Sequence, residues 1–483
     1  MKTKTRKVVW IVLGGIAILI VVSVLVQSHW NSNAKKALAD TRRDLREQGF
    51  KTELSDFYVA TNPATRARAA AVRDFYMTFL KAPLSDEKFL PMDTDDSATV
   101  IWKNEGLRIR SFTLHWNSLR DELDAIRKPL DAARDAVLSG PIGFNMDWNQ
   151  TYSISNDYPS QLRYLATALS DSVMVDLHDN NWDAAWTNLL AQTRVITASE
   201  PNGGVSPLLC LLDVPDAAFV TTWQALQFNG WPDEKLAVLQ QEWQSLDYLT
   251  NLPERAAFER VWNAHGCCWI SQEPPFKYFH FSGFTAESLQ DFKQALNRMW
   301  FHGHPALVEE RIMLLYFRDR ELELRRAIQA PTWKEMRALP GVTNVASFIS
   351  PYSLLSNDIN YYYRGGQVLE LSHVAEAEAE RRVLITAIAL ERYRNKYHVY
   401  PTTLASLVPE FLKAVPLDFM DGLPLRYRLT GDGHFVLYSI RLDCVDDGGK
   451  LVPPNSYHFP RSSAEILVAP TDMDIIWPRP ANP

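Results

Sequence analysis

Residues 367–397, QVLELSHVAEAEAERRVLITAIALERYRNKY, contain neither proline nor glycine. Alanine, glutamate, leucine and arginine dominate this stretch, and because they lose little rotamer freedom in a helix, it predicts one long helix. The first half, residues 372–382, is polar on most sides and is expected to face water. Residues 383–390 (VLITAIAL) are apolar nearly all round. Such a helix is usually buried on every side, so we expect residues 383–390 to lie between a hairpin and other helices.

A short helix and a β-hairpin are predicted to follow the long helix. The Tyr-Pro pair at 400–401 ends the helical run, because the residue before proline is pushed out of the helical region. A threonine just before residues 404–407 can cap a short helix there. Residues 425–429 and 435–440 are short runs of β-formers, and the Asp-Gly pair at 432–433 between them predicts an antiparallel turn. Two strands alone are marginal, so the hairpin is expected to pack on the long helix.

This segment resembles the globular head of type II secretion pseudopilins. The matching text is ALERYRNKYHVYPTTLASLVPEFLKAVPLDFMDGLPLRYR at 389–428, followed by FVLYSIRLDCVDDGG at 435–449. The family pattern is a helix ending in Tyr-Pro, a Leu-Val-Pro turn, a Pro-x-Asp-Pro segment and a Tyr-Ser strand leading into an Asp/Gly loop. The chain departs from it at His398, Phe419, Arg441 and Cys444, where the family commonly has glycine or proline.

A calcium site is implied by this resemblance, because the acidic loop of such heads holds Ca²⁺. The positions that correspond to ligands are Asp443, Asp446 and Asp447. Carboxylates spaced along a glycine-rich loop can surround Ca²⁺ together with backbone carbonyls, which suits an ion that takes six to eight oxygens. A solvated acidic turn after a strand is the alternative interpretation, and both stay open.

The N-terminus predicts a membrane anchor. Residues 1–7 are basic, and residues 8–26 form an uncharged apolar run that approaches the ~20 residues needed to cross a bilayer. The basic end is expected to stay in the cytoplasm, which places the rest of the chain outside it. A cleaved signal peptide is the rival, but no small-residue cleavage site ends the run. Residues 27–60 are interpreted as a stalk.

The remaining chain divides into four predicted parts. Residues 61–340 form a helical extracytoplasmic domain, and residues 341–356 form a linker. The pseudopilin-like module covers 357–455, and a proline-rich tail covers 456–483. Helix-turn-helix patterns without a fixed period predict an α-hairpin array in the helical domain, which can serve either as a protein-binding face or as inert scaffolding.

Charge and cysteine usage limit the classes of function. The net charge is −7 at pH 7 without a basic stripe, which argues against nucleic-acid binding. The four cysteines are Cys210, Cys267, Cys268 and Cys444, and none has the spacing of a metal site. A disulfide from Cys210 to Cys267 or Cys268 and a set of buried thiols are both open.

No complete catalytic set is evident in the sequence. His302 and His304 lack a clear third ligand, and His373 with Glu376 occurs as a single helical pair without a second copy. A Cys/His couple at 265–268 would need an exposed, electropositive setting. We therefore predict no catalytic residue and no small-molecule substrate.

The predicted fold is mainly α, with one N-terminal transmembrane helix, a helical-hairpin ectodomain, and a small α+β C-terminal module in which a long helix packs on a short antiparallel sheet. The predicted function is a single-pass protein of the bacterial inner membrane, with its bulk in the periplasm. It would bind other envelope proteins as a scaffold component, in secretion or pilus-type assembly. The alternative is an envelope enzyme with an unrecognised site in residues 262–304.

Overall fold

The protein is described here from a computed structural model. The structure describes residues 2–57, 61–82, 100–103, 105, 107–109, 112–144, 157–198, 208–272, 304–343, 345–350, 365–449 and 474–477. The described chain is mainly helical, and its α-helices are α1 (Lys2–Glu47), α2 (Pro63–Phe79), α3 (Trp116–Leu138), α4 (Asp157–His178), α5 (Trp182–Val195), α6 (Leu208–Leu226), α7 (Asp233–Ser245), α8 (Leu252–Gln272), α9 (His304–Ala327), α10 (Trp333–Met336) and α11 (Gly365–Tyr397). Short 3₁₀ helices span Leu54–Phe57, Ile101–Lys103 and Leu404–Leu407.

The described strands form two small antiparallel sheets. One pairs β1 (Leu107–Ile109) with β2 (Phe112–Leu114). The other has the order β3 (Arg426–Leu429), β4 (Phe435–Ser439) and β5 (Ile475–Trp477). In the second sheet Tyr427 lies opposite Leu437, which in turn lies opposite Trp477. The third strand is a finding that the two-stranded hairpin predicted from the sequence did not include.

The N-terminal part of the predicted fold class needs correction. No helix in the described part of the chain is both long and apolar enough to cross a membrane, so the predicted transmembrane helix is wrong on this finding. Residues 8–26 lie inside α1, and most of their side chains are outside the described residues. The helix does not stop at the end of the apolar run, because the polar sequence up to Glu47 continues it. In this polar half of α1, Leu38 and Leu45 are buried in a cluster with Leu314 of α9.

The helical body contains the α4–α5 hairpin and further contacting helix pairs. In the α4–α5 hairpin, Asn180 takes the left-handed conformation with φ 62°, which asparagine adopts more readily than most residues. Inside this hairpin the buried Asn188 donates a hydrogen bond of 2.8 Å to Asp176. Helices α8 and α9 form a second pair, across which the buried side chains of Arg260 and Glu321 form an ion pair. The predicted helical-hairpin character of the body is therefore present in the structure.

Helix α11 connects the body to the second sheet. It contacts α6 and α7 as well as β4, β5 and the 3₁₀ helix Leu404–Leu407. Every residue of 383–390 is buried. Its apolar members share one core with Leu239 of the body and with Leu437 and Trp477 of the sheet. The expectation that residues 383–390 are enclosed by a hairpin and by other helices is confirmed, so the C-terminal module is packed onto the body.

The first half of α11 corrects a second expectation. Residues 372–382 were expected to face water, but Val374, Ala375 and Ala379 are buried in a cluster with Trp333 and Phe419. Leu371, Ala375 and Ala379 of this cluster recur every four residues and so lie on one face of the helix. Glu378, which is also buried, is neutralised by neighbouring arginines of the same helix. The small side chains between the charged residues of α11 are thus enough to pack this half of the helix against Trp333 and Phe419.

Candidate functional site

The acidic loop, residues 441–449, follows β4 and holds the predicted calcium ligands. Its path depends on left-handed backbone at Cys444 (φ 61°), Gly448 (φ 81°) and Gly449 (φ 65°). A Cβ atom at Gly449 would lie 2.8 Å from a ring carbon of Tyr438, so only glycine fits there without displacing that ring. The loop is therefore folded closely back on the outer face of β4.

Asp418 is the buried centre of the module. Its carboxylate accepts hydrogen bonds from Ser439 Oγ (2.6 Å), Ile440 N (2.9 Å), Met420 N (3.0 Å) and Arg426 Nη1 (3.0 Å). Burial raises the pKa of the Asp418 carboxyl, and these hydrogen bonds act in the opposite direction. This one side chain connects the Pro-x-Asp turn, strand β3 and the end of β4.

Arg426 on β3 carries the positive charge at the base of the acidic loop. Its guanidinium donates to Asp421 at 2.7 Å and 3.1 Å, to Asp418 at 3.0 Å and to Asp446 at 3.3 Å. The hydrogen bonds to Asp421 are the largest reason that the pKa of Arg426 lies above its ordinary value. A fixed guanidinium thus balances three carboxylates where a bound cation could otherwise do so.

Of the predicted ligands, Asp446 is held most firmly. Its carboxylate accepts from Gly448 N (2.9 Å), Tyr438 Oη (3.0 Å) and Arg426 Nε (3.3 Å). Partial burial acts to raise the pKa of Asp446, but these three hydrogen bonds outweigh it and hold the pKa below its usual range. Asp443 lies at the start of the loop, where its carboxylate accepts from Val445 N at 3.1 Å.

Near Asp447 lies the carboxylate of Asp474, which was not among the residues predicted from the sequence. The backbone N–H groups of Asp447 and Gly449 donate to Asp474, at 3.5 Å and 2.7 Å. Burial raises the pKa of Asp474, the two backbone hydrogen bonds lower it, and the negative charges of Asp446 and Asp447 raise it further. Asp474 comes 27 residues after Asp447 in the chain, so no local spacing pattern could have connected the two.

The structure therefore places Asp446, Asp447 and Asp474 around one edge of the loop, with Asp443 at its start. Among the residues that the structure describes, no group of three or more His, Cys, Asp or Glu side chains has the geometry of a metal site. As placed, the predicted ligands do not converge on one point, and calcium binding stays a prediction.

Comparisons with protein-family models, with curated proteins and with solved structures find no match for this chain. The resemblance to pseudopilin heads thus stays a prediction based on the quoted residues.

The other residues weighed in the sequence are dispersed. The ring of His304 lies near that of Trp30, with centroids 5.8 Å apart and planes tilted by 42°, and His302 lies outside the described residues. Glu376 is turned toward the acidic loop, where Arg441 lies 3.5 Å away. Cys444 has a free thiol, and burial raises its pKa. The side chains of two further cysteines, Cys210 and Cys268, lie outside the described residues, so the disulfide alternatives stay open.

The alternative enzymatic site at residues 262–304 falls mostly outside the described residues, which stop at 272 and resume at 304. Near its edges, burial lowers the pKa of His265, and Cys267 is fully buried. A buried thiol lacks the exposure that a nucleophilic cysteine needs. The alternative stays a prediction without support from the described part of the chain.

Proposed function

We propose that this chain is a protein-binding scaffold component of the bacterial cell envelope, with a module of the pseudopilin-head type built into a helical body. The observation that supports this proposal most is the burial of residues 383–390 between the body and the sheet. Since the module shares its core with the body, its outer surface has a fixed orientation. A fixed surface loses little conformational freedom when it binds a partner.

Three exposed apolar residues mark the surface that we assign to the partner. Leu417, Leu423 and Val445, the loop-side patch, are 46%, 57% and 55% exposed. Leu417 and Leu423 lie on the two arms of a tight turn, in which Asp418 N donates to Leu423 O at 2.7 Å. Exposed apolar residues grouped on a rigid frame are typical of protein-interaction sites.

Each of these three residues is linked through a neighbouring carboxylate to Arg426. Leu417 precedes Asp418, Leu423 donates its N–H to Asp421, and Val445 precedes Asp446. All three of those carboxylates bind the Arg426 guanidinium. The loop-side patch is therefore held by the same ion cluster that holds the acidic loop, and a partner could contact both.

Crosslinking in intact envelopes tests the proposal. We expect the wild-type chain to recover one or more envelope proteins, and the double variant Leu423→Asp/Val445→Asp to lose them. Both positions are exposed, so the folded state should tolerate the change. Val399→Asp is the matched control, because Val399 is 61% exposed and lies outside the patch. Equal recovery from all three chains, or no protein recovered by the wild type, would contradict the proposal.

Calcium is proposed to bind at the Asp447–Asp474 side of the acidic loop. The repulsion that Asp446 and Asp447 exert on Asp474 supports this assignment, because a bound cation would relieve it. Arg426 already compensates Asp446, so we expect weak binding, with Kd about 10⁻⁴ to 10⁻³ M, as in extracellular calcium modules. Isothermal titration calorimetry of the full chain with Ca²⁺ should show heat of binding in this concentration range.

In the same titration, Asp474→Asn should abolish the calcium signal, whereas Asp443→Asn should retain most of it. Asp443 is the matched control because its carboxylate is already used by Val445 N at the start of the loop. Absence of heat from the wild type at millimolar Ca²⁺ would remove calcium from the proposed function and leave the protein-binding proposal intact.

A further inference from the structure

Glu309 is a buried carboxyl on the apolar face of α9. Ala306, Met313 and Phe317 belong to one buried cluster, and together with Glu309 they recur every three to four residues along this face. Glu309 itself has 0% exposure. Its Oε2 accepts a hydrogen bond from Ser350 Oγ, whereas its Oε1 has no hydrogen-bond partner in the part of the chain that the structure describes.

Ser350 belongs to residues 345–350, a short segment that is neither helix nor strand and that we call the clasp segment. Three described contacts hold it against α9. Phe348 is buried in the cluster next to Glu309, with its ring 5.3 Å from that of Tyr316. The Tyr316 hydroxyl donates to Ala346 O at 3.0 Å. The third contact is the hydrogen bond to Glu309. The clasp segment is the last described part of the chain before α11.

The positive charges near Glu309 are already engaged elsewhere. On α1, Arg42 binds Glu310 and lies 3.2 Å from Glu53. Arg311, two residues further along α9, donates to Thr41 on α1 at 2.9 Å. Arg42 thus reaches from α1 to Glu310 on α9, and Arg311 reaches from α9 to Thr41 on α1, so the described contacts of both guanidinium groups are with residues other than Glu309.

On the α8 side, the described cluster presents Cys267, and His265 has its pKa lowered by burial, with smaller effects from Glu53 and Arg42. On the clasp segment the residues that pack here are Phe348 and Ser350, which carry no charge. The ionised form of Glu309 thus has no described cation to compensate it.

We propose that Glu309 and Ser350 form a proton-controlled clasp, which holds residues 345–350 on α9 while the Glu309 carboxyl is neutral and releases them when it ionises. A neutral carboxyl can be buried beside Phe348 and Met313 at moderate cost, but a carboxylate there has no counter-ion and only one described donor. Local opening would let water reach the unpartnered Oε1 without unfolding α9.

The direction of the pH dependence follows from the same burial. Desolvation raises the pKa of Glu309 from 4.5 to about 7. The folded state therefore keeps a proton that the unfolded chain loses near pH 4.5. The stabilisation of the closed clasp by the neutral carboxyl is fully present below that pH and is lost as the pH rises through about 7. Release leaves Ile349, already 80% exposed, and Phe348 together on a mobile segment.

Hydrogen exchange of the full chain, corrected for the intrinsic pH dependence of exchange, tests this proposal. Between pH 5.5 and 8.5 we expect the protection of amides in residues 345–350 to fall by about ten-fold or more, with a midpoint near 7, as a group with the raised pKa of Glu309 requires. Glu309→Gln cannot ionise and should keep the protection of the low-pH state throughout.

Asp319→Asn is the matched control, because it removes an exposed carboxylate from the same helix and should leave the wild-type profile unchanged. Ser350→Ala should lower the protection at pH 5.5 while a titration near 7 persists. A wild-type profile that is flat between pH 5.5 and 8.5 would overturn the proposal, and so would a Glu309→Gln profile that still titrates. The wild-type measurement decides the matter even if Glu309→Gln fails to fold.

Discussion

Asp418→Ala is expected to lower the free energy of unfolding by about 3–5 kcal/mol, the range observed when one partner of a buried ion pair is removed. The carboxylate is fully buried and accepts from four donors. Its loss leaves the N–H groups of Met420 and Ile440 and the Ser439 hydroxyl buried without an acceptor, and each such group costs about 1–3 kcal/mol. The costs of these neighbouring groups are not additive, so the expected loss stays at about 3–5 kcal/mol and is not the sum over the single groups.

Chemical denaturation followed by circular dichroism measures this effect. Asp443→Ala is the matched control, because Asp443 accepts only a local backbone hydrogen bond in the described loop, from Val445 N, and should cost less than about 1 kcal/mol. Asp418→Asn keeps the side-chain volume and should fall between the two. If Asp418→Ala and Asp443→Ala shift the midpoint equally, Asp418 is not the centre of the module.

Leu384→Ala is expected to destabilise the helical body and the C-terminal module together, by about 2–5 kcal/mol, as for other fully buried leucines. Leu384 has 0% exposure and belongs to the core that contains both Leu239 of α7 and Leu437 of β4. A cavity at this position removes contacts on both sides of α11. Because the two parts share one core, we expect a single cooperative transition in the wild type and in the variant.

Differential scanning calorimetry of the full chain can distinguish one transition from two. Leu423→Ala is the control for the loss of leucine atoms without a cavity, since Leu423 is 57% exposed, and it should shift the stability by less than about 0.5 kcal/mol. Two resolved transitions, of which only the later or only the earlier moves in Leu384→Ala, would show that the module folds independently of the body.

Local sequence patterns were sufficient wherever the structure is decided by neighbours in the chain. The uninterrupted run 367–397 predicted a helix, and the structure has α11 over Gly365–Tyr397. The all-round apolar character of 383–390 predicted burial on both sides, which is observed. The Asp-Gly turn at 432–433 predicted the hairpin, and β3 pairs with β4 around it. In each case the side-chain period or the turn chemistry is set by residues that are close to each other in the chain.

Those patterns were insufficient for the contact face of the first half of α11. Val374, Ala375 and Ala379 are too small to mark an apolar stripe among the glutamates of residues 372–382. Their burial depends on Trp333 and Phe419, which come from distant parts of the chain. A helix with a polar majority can thus be buried when its small residues meet large aromatic ones.

The candidate sites show the same division. Asp443, Asp446 and Asp447 could be chosen from a local loop pattern, but Asp474 reaches this loop only through β5. Likewise, Glu309 reads as an ordinary helical glutamate beside Glu310. Only the packing of α8 and the clasp segment on α9 shows that Glu309 is buried without a described cation, whereas Glu310 binds Arg42.

The sequence by itself determined the helical character of the chain, the long C-terminal helix and the hairpin with its acidic loop, because helix propensity, apolar period and turn residues are local properties. The tertiary structure alone decided that the first half of α11 is buried, that a third strand completes the sheet, and that Arg426 and Glu309 have opposite electrostatic surroundings. Burial and charge pairing depend on residues far apart in the chain, and only the folded arrangement brings them within a few ångströms of each other.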